Sequence, residues 1–508
     1  MTSLLVSLAL STLTACGFLV AYDQAAHWFL IPLVLCGIVI GWDAVDWFRG
    51  RLSLYDPAGI IGLIGVHFFF LAPLLHVAWE SWMPYVEPPS DWRDWLGRMA
   101  VVNAAGLLLY RVARERAARG RGTTKDTVWQ VDRKKLLLAA GCGLAVSGAL
   151  QLWIYATYGG IGGYVDAFTQ SAGRPESQSA FAGMGWIFAV SESFPILAML
   201  VFAVGAGRTR IGRRWAVIIG VLLAYFMLKM LFGGLRGSRS NTIWGVFWAV
   251  GIIHFWVRPV SKRMVLAGVG LLVTFMYLYG FYKALGRDVV TVYEQGTLSE
   301  LGEKLDRTFE GLVLGDLGRS DVQAFLLYRL SMPGGDYTYA WGRTYLGTVA
   351  LLIPRRLWPE RPPGKVLEGT EAQFGVGSYD EEEWASSKVY GLAGETMLNF
   401  GWLAVPFAYL VFGLIVGRLQ RGLGRLHAGD ARLLVYPFIV NICFSVLLAD
   451  SDNLLFTFIK DGLVPLPVVW FGSRVLTRSE AGEPGPVRAP TADLMVTDTA
   501  DGYGRGQA

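Results

Sequence analysis

Charge is what this chain has least of. Only 17% of its 508 residues are Asp, Glu, Lys or Arg, 53% are hydrophobic, and the mean hydropathy is +0.42. Soluble domains carry about 25% charged residues. The deficit sets aside a soluble globular protein and points to a chain that crosses a membrane many times. Cysteine is nearly absent, and Cys16, Cys36, Cys142 and Cys443 each fall inside an apolar run. That excludes a disulfide framework and a thiolate metal cluster. The five histidines, His27, His67, His76, His254 and His427, are scattered without ligand spacing. With no acidic metal-binding motif and no nucleotide motif, no metal site and no cofactor are expected. Nor is there an internal repeat. The isoelectric point near 8.9 comes from basic residues gathered in short loops. This is a topology signal, and no nucleic-acid partner is expected.

What is present is a series of apolar runs. Crossing a hydrocarbon core takes about 20 helical residues. Twelve runs approach or reach that length: 3–21, 28–47, 57–79, 96–113, 136–158, 186–205, 216–233, 242–257, 264–283, 394–417, 433–450 and 454–473. Helix is the state expected for each, because lipid leaves a lone strand's backbone groups unpaired. Leu13-Thr14-Ala15-Cys16 resembles a lipoprotein cleavage box. However, no Lys or Arg precedes it and the apolar run continues past the cysteine, so a first spanning helix is the reading adopted.

Basic loops orient the bundle. Lys plus Arg number two in 48–56, nine in 111–135, four in 206–215, three in 258–263 and four in 418–432. Segments 22–27 and 451–453 have none, and 159–185 has only Arg174. The positive-inside rule then puts both termini in the cytoplasm. The expected fold is an all-α polytopic membrane protein with about twelve transmembrane helices and one long external loop containing short helices. The expected organisation is nine spans over 1–283, the loop over 284–390, three spans over 391–475 and a disordered cytoplasmic tail over 476–508. The long loop holds eleven Lys or Arg and sixteen Asp or Glu; a connection of that length is expected to carry function. Within it, 344–353 (TYLGTVALLI) is apolar but half a span, which reads as interfacial or re-entrant.

Ionisable residues in or beside spanning helices mark function by default. On this topology Glu192, Lys229, Lys283, Glu395, Asp450, Asp452, Lys460 and Asp461 lie toward the outer half, which suggests a polar cavity open to the outside. Blander readings stand beside this one: Lys229 and Lys283 as snorkelling side chains, Asp450 and Asp452 as helix caps, and Lys460 and Asp461 as a mutual pair. Asp43 and Asp46 read as interfacial. The turn "GGLRGSRSN" (233–241) places Arg236 and Arg239 outside, against the topology bias, among glycines and serines. Two planar guanidinium forks there suit an anion such as phosphate, although two solvated arginines in a bland loop would look the same. A second basic group, Arg343 followed by Arg355, Arg356, Arg361 and Lys365 around "IPRRLWPERPPGK", sits in the long loop, where Leu357 and Trp358 suit a membrane surface. The acidic run Asp380 to Glu383 reads as a solvated loop. In "GLAGETMLNFGWLAVP", Glu395 lies at the mouth of a helix, where desolvation would raise its pKa and suit it to general-base work. It reads equally as an acid favoured by the helix dipole.

The glycine/arginine/serine turn, the "IPRRLWPERP" strip and the "GETMLNFGWLAVP" helix entry together resemble the O-antigen polymerase family, the oligosaccharide repeat unit polymerases. The resemblance spans roughly 225–420. It implies an inner-membrane, multi-pass glycosyltransferase acting at the periplasmic face to make O-antigen, capsule or exopolysaccharide. The substrates would be oligosaccharides on undecaprenyl diphosphate, and a separate co-polymerase would set chain length. Arg236 and Arg239, then Arg343, Arg355 and Arg356, would hold the diphosphate, with Glu395 as catalytic base. The family's paired motif, Arg followed eleven residues later by Gly in two external loops, is not reproduced cleanly: Arg307 and Gly318 have the spacing, whereas Arg236 and Arg343 lack it. Two alternatives stay open. An O-antigen ligase shares the architecture, but is expected to use a loop histidine, and 284–390 contains none. A lipid-oligosaccharide or secondary transporter would line a path with the same charges, usually with two repeated halves.

Overall fold

The computed structural model describes residues 2–83, 86–120, 127–171, 180–181, 183–207, 209–236, 239–285, 308–332, 335–353, 357–358, 360–380 and 388–477. In chain order the elements are α1 (Thr2–Ala21), α2 (Leu30–Phe48), α3 (Pro57–Ala78), α4 (Trp92–Arg119), β1 (Thr127–Val131), α5 (Arg133–Thr157) and α6 (Gly160–Ser171). Next come α7 (Gly185–Gly205), α8 (Trp215–Leu231), α9 (Arg239–Ile252), α10 (Lys262–Leu285), α11 (Ser320–Ser331), α12 (Arg343–Ala350) and α13 (Lys365–Phe374). The chain continues through α14 (Gly391–Phe400), α15 (Val405–Leu423), α16 (Tyr436–Leu448), α17 (Ser451–Gly462), α18 (Pro465–Phe471) and β2 (Ser473–Thr477).

Among the described residues, eight helices are long and apolar enough to cross a membrane: α1 to α5, α7, α10 and the stretch Trp402–Leu423 that contains α15. The pair α17–α18 passes the same test together but bends by 50° at its break, just before Pro465 and Pro467. Three further apolar helices, α8, Asn241–Val257 and α16, are shorter. All twelve apolar runs of the sequence are thus helical, and the fold is that of a mainly helical membrane protein. One run divides. The expected span 394–417 breaks at Gly401, whose φ of +77° is left-handed and suits glycine. Helix α14 stays apart from the span, with Ala393–Asn399 buried in the protein.

Small residues draw the helices together where lipid supplies no hydrophobic drive between them. In α1 only Ser3, Ser7, Ser11 and Ala15 are buried, a stripe of period four against α2. Ser7 Oγ donates to the carbonyl of Ile38 at 2.9 Å. Helix α15 runs parallel to α4, with Gly106 on the ring of Tyr409, Gly413 on the backbone of Tyr110 and Gly417 on that of Arg114. A Cβ at either of the last two would lie 2.3 Å from a carbonyl oxygen.

Two expectations need correction. The fold is not purely helical: β1 and β2 pair antiparallel, from Thr127↔Thr477 to Val131↔Ser473. Five-residue strands whose partners lie some 350 positions apart leave no local pairing signal. Strand β2 also covers the first two residues assigned to the tail; 478–508 lie outside the described residues. Asp43 does not face the surroundings of the protein but is buried within it. It is 2% exposed, accepts from Arg114 Nη2 at 2.9 Å and from Arg111 Nη1 at 3.1 Å, and Arg111 in turn lies over the Trp42 ring.

Candidate functional site

Two polar centres are built into the apolar bundle, one at each end of α17. The first surrounds Glu395. Helix α12 opens after Gly342, whose φ is +91°, and turns Thr344, Gly347 and Thr348 inward. Asn399 on α14 is fixed from both sides: its Oδ1 accepts from the Gly342 amide at 2.8 Å, and its Nδ2 donates to Thr344 Oγ1 at 2.7 Å. The Thr344 hydroxyl, which accepts from Asn399, donates to Glu395 Oε1 at 2.8 Å. Ser451 completes the shell. Its hydroxyl lies 2.6 Å from Glu395 Oε1 and its amide donates to Oε2 at 2.7 Å. The same hydroxyl is 2.8 Å from Thr348 Oγ1.

Glu395 is 3% exposed. Burial, helped by the nearby charge of Asp450, pushes its pKa up to about 7, although the Ser451 and Thr344 hydrogen bonds oppose the rise. Asp450 is fully buried and sits in an ion pair with Lys365 of α13 at 2.7 Å. Its Oδ1 accepts the amides of Tyr390 and Gly391 at 2.9 and 2.8 Å. Burial also raises the Asp450 pKa, with Lys365 pulling the other way. Burial works against the Lys365 ammonium, but the Asp450 carboxylate outweighs it and its pKa ends above the ordinary lysine value. Beside Thr344, Arg343 is half exposed and bidentate to the buried Glu368, with Nε to Oε1 at 2.8 Å and Nη2 to Oε2 at 3.3 Å. Tyr337 donates to the same carboxylate at 3.0 Å.

The second centre lies among α7, α8, α9 and the far end of α17. Glu192, 1% exposed, pairs with Arg236 and with Lys460 at 2.7 Å, and accepts from Asn241 Nδ2 at 2.8 Å. Lys229 pairs with Asp461 at 3.1 Å and donates to Asn241 Oδ1 at 2.9 Å. Arg236 stacks on Phe188 at 3.8 Å and keeps 19% of its side chain exposed. Gly233, at φ +133°, makes room: a Cβ there would meet the Glu192 carboxyl and the Asn241 amide at 2.6 Å. Three cations (Lys229, Arg236, Lys460) face two anions (Glu192, Asp461), a formal excess of one positive charge. Burying such a cluster is costly unless it is nearly balanced and hydrogen-bonded.

The structure therefore brings Glu395 and Arg343 into one centre and puts Arg236 in another. Ser451 and Lys460 are nine residues apart on α17, about 14 Å along the axis and on opposite faces. Arg239 opens α9, but its side chain lies outside the described residues, as do Arg355 and Arg356. Lys460 and Asp461 do not pair with each other: Lys460 takes Glu192 and Asp461 takes Lys229. Lys229 is 2% exposed and does not snorkel. Asp450 is buried and bonded, while Asp452 is half-buried. Among the described residues no group of three or more His, Cys, Asp or Glu is placed to hold a metal ion. Sequence reasoning passed over Thr344, Ser451, Asn241 and Glu368, because a lone hydroxyl, amide or carboxyl in a polar loop carries no spacing signal. No protein-family model, curated protein or solved structure matches this chain.

Proposed function

We propose that this chain is a membrane glycosyltransferase that polymerises oligosaccharide repeat units carried on undecaprenyl diphosphate. It would act at the periplasmic face of the inner membrane, with twelve spans and both termini in the cytoplasm. The observation that carries the reading is the Glu395 centre: a buried carboxyl whose pKa lies near neutrality, one residue's contact away from a half-exposed arginine. That is the pairing a glycosyl transfer from a diphosphate requires. The acceptor hydroxyl attacks the anomeric carbon, the bond from that carbon to the diphosphate oxygen breaks, and the oxygen leaves with the electron pair. Glu395 takes the acceptor's proton, with the Ser451 hydroxyl as the link between the buried carboxyl and the partly exposed face. Arg343, with Arg355 and Arg356 of the same strip, stabilises charge growing on the phosphate oxygens, which counts for more in a water-poor site than in water. Arg236 adds positive potential from the second centre.

Deletion followed by analysis of lipid-linked glycans tests this. Accumulated single repeat units support it. Full-length polymer left on its carrier would point to a ligase instead, and that outcome overturns the proposal. A transporter is the second reading, favoured by one feature: the five-charge centre deep among α7, α8, α9 and the bent pair α17–α18 is the kind of polar break that lines transport paths. Repeat units that fail to reach the outer leaflet in the deletion strain would select it.

A further inference from the structure

The segment between α10 and α14 contributes to the Glu395 centre, because α13 delivers a buried cation, Lys365, to the neighbouring carboxyl of Asp450. Lys365 is 3% exposed, and its ammonium reaches Asp450 at 2.7 Å and the Lys388 carbonyl at 3.2 Å. Asp450 and Ser451 are consecutive, so the carboxylate that Lys365 grips is joined by one peptide bond to the residue that donates twice to Glu395. Two buried carboxyls this close cannot both be readily ionised without a cation. Other charged or titratable groups around this pair are Asp452 at the head of α17, Arg343 and Tyr345 on α12, Glu368 on α13 with Tyr337 beside it, and Lys388 and Tyr390 before α14. Arg343 pairs with Glu368 and keeps about half of its side chain exposed. Lys365 is the buried cation paired with Asp450, and so it sets the two carboxyls apart.

We propose that Lys365 is a positioning residue of the Glu395 centre: by pairing with Asp450 it fixes that carboxyl in its ionised form and leaves Glu395 as the one that exchanges a proton. The catalytic consequence rests on the glycosyltransferase reading, but the protonation order does not. Asp450, with two backbone amides and an ammonium, has partners only for its charged form. Glu395 has neutral hydroxyls, which serve either form by rotating, plus one amide. The segment that carries Lys365 is thus part of the centre, which is incomplete without it.

The test uses the full-length protein in nanodiscs and follows the carboxylic C=O stretch by infrared spectroscopy between pH 5 and 9. A band titrating near neutrality is expected in the wild type and in Asp450→Asn, and is expected to vanish in Glu395→Gln. A band lost in Asp450→Asn and kept in Glu395→Gln overturns the proposal. Lys365→Met is expected to raise the midpoint by about one pH unit, the usual effect of losing a close opposite charge, and Lys365→Arg to leave it in place. Adding Asp450→Asn to Lys365→Met should bring the midpoint back down. If the ion pair merely held the helices together, none of these midpoints would move, and that result sinks the assignment. Should Lys365→Met fail to fold, Asp450→Asn alone must lower the midpoint. The pH profile of polymer formation from lipid-linked repeat units should follow the infrared midpoints. A titration that behaves as described, with no polymer formed by the wild type, removes the polymerase reading and keeps the role of Lys365.

Discussion

Glu395 and Asp450 each hold the start of the other's helix. Asp450 Oδ1 accepts the amides of Tyr390 and Gly391 where α14 begins, and Glu395 Oε2 accepts the amide of Ser451 where α17 begins. Amides at a helix start lack intrahelical partners and sit at the positive end of the dipole, so a carboxylate there is favoured twice over. The exchange locks two helix starts that lie 60 residues apart in the chain, and it places two acids side by side in the protein interior.

Glu395 should make stability fall as pH rises. Its folded pKa of about 7 lies above the ordinary glutamate value. The folded state therefore binds the proton more tightly than the unfolded one, and the stabilisation is complete below about pH 4.5 and lost as pH rises through about 7. The size is roughly 3 kcal/mol at most. Thermal unfolding in detergent should show the wild type losing stability between pH 5 and 8. Glu395→Gln should flatten that slope and abolish polymer while the protein still inserts.

Activity should depend on the same proton in the opposite sense. A base works when deprotonated, so polymer formation should climb with pH and level off above about 7. A rate that falls over that range would remove Glu395 from the role of base.

The second centre should respond to charge balance. Glu192→Gln leaves three cations facing Asp461 alone. A cost on the order of 3–5 kcal/mol, typical of a broken buried pair, is expected as lost folded protein. Adding Lys460→Met should recover most of it. Arg236→Ala leaves two cations and two anions, so the protein should insert normally. Loss of polymer in that variant would tie the centre to the reaction, and wild-type product would release it.

Gly413→Ala should loosen the α4–α15 contact. The added methyl would lie 2.3 Å from the Tyr110 carbonyl, and the backbones must part to admit it. A loss of about 1–3 kcal/mol is expected, read as a lower thermal transition in detergent.

Reporter fusions should place residue 235 and the tail beyond 477 on opposite sides of the membrane. A cytosolic turn at 233–241 would remove the arginines from the face where the proposed reaction runs.

The sequence by itself determined the class of fold. A membrane demands that every spanning backbone group be paired within its own segment, so apolar length alone locates helices, and all twelve runs were legible. It also marked Glu395, Arg236, Lys229 and Asp461 as costly and therefore informative. Which charge meets which was decided only by the tertiary structure. Glu192 finds Arg236 from the turn after α8, Asn241 from α9 and Lys460 from α17, and Glu395 finds Thr344 and Ser451 at separations of 51 and 56 residues. No periodicity along the chain encodes such meetings, because they depend on how helices rotate and how deep they sit. The same holds for Lys365, which looks like one more basic residue in a polar strip until the fold buries it against Asp450.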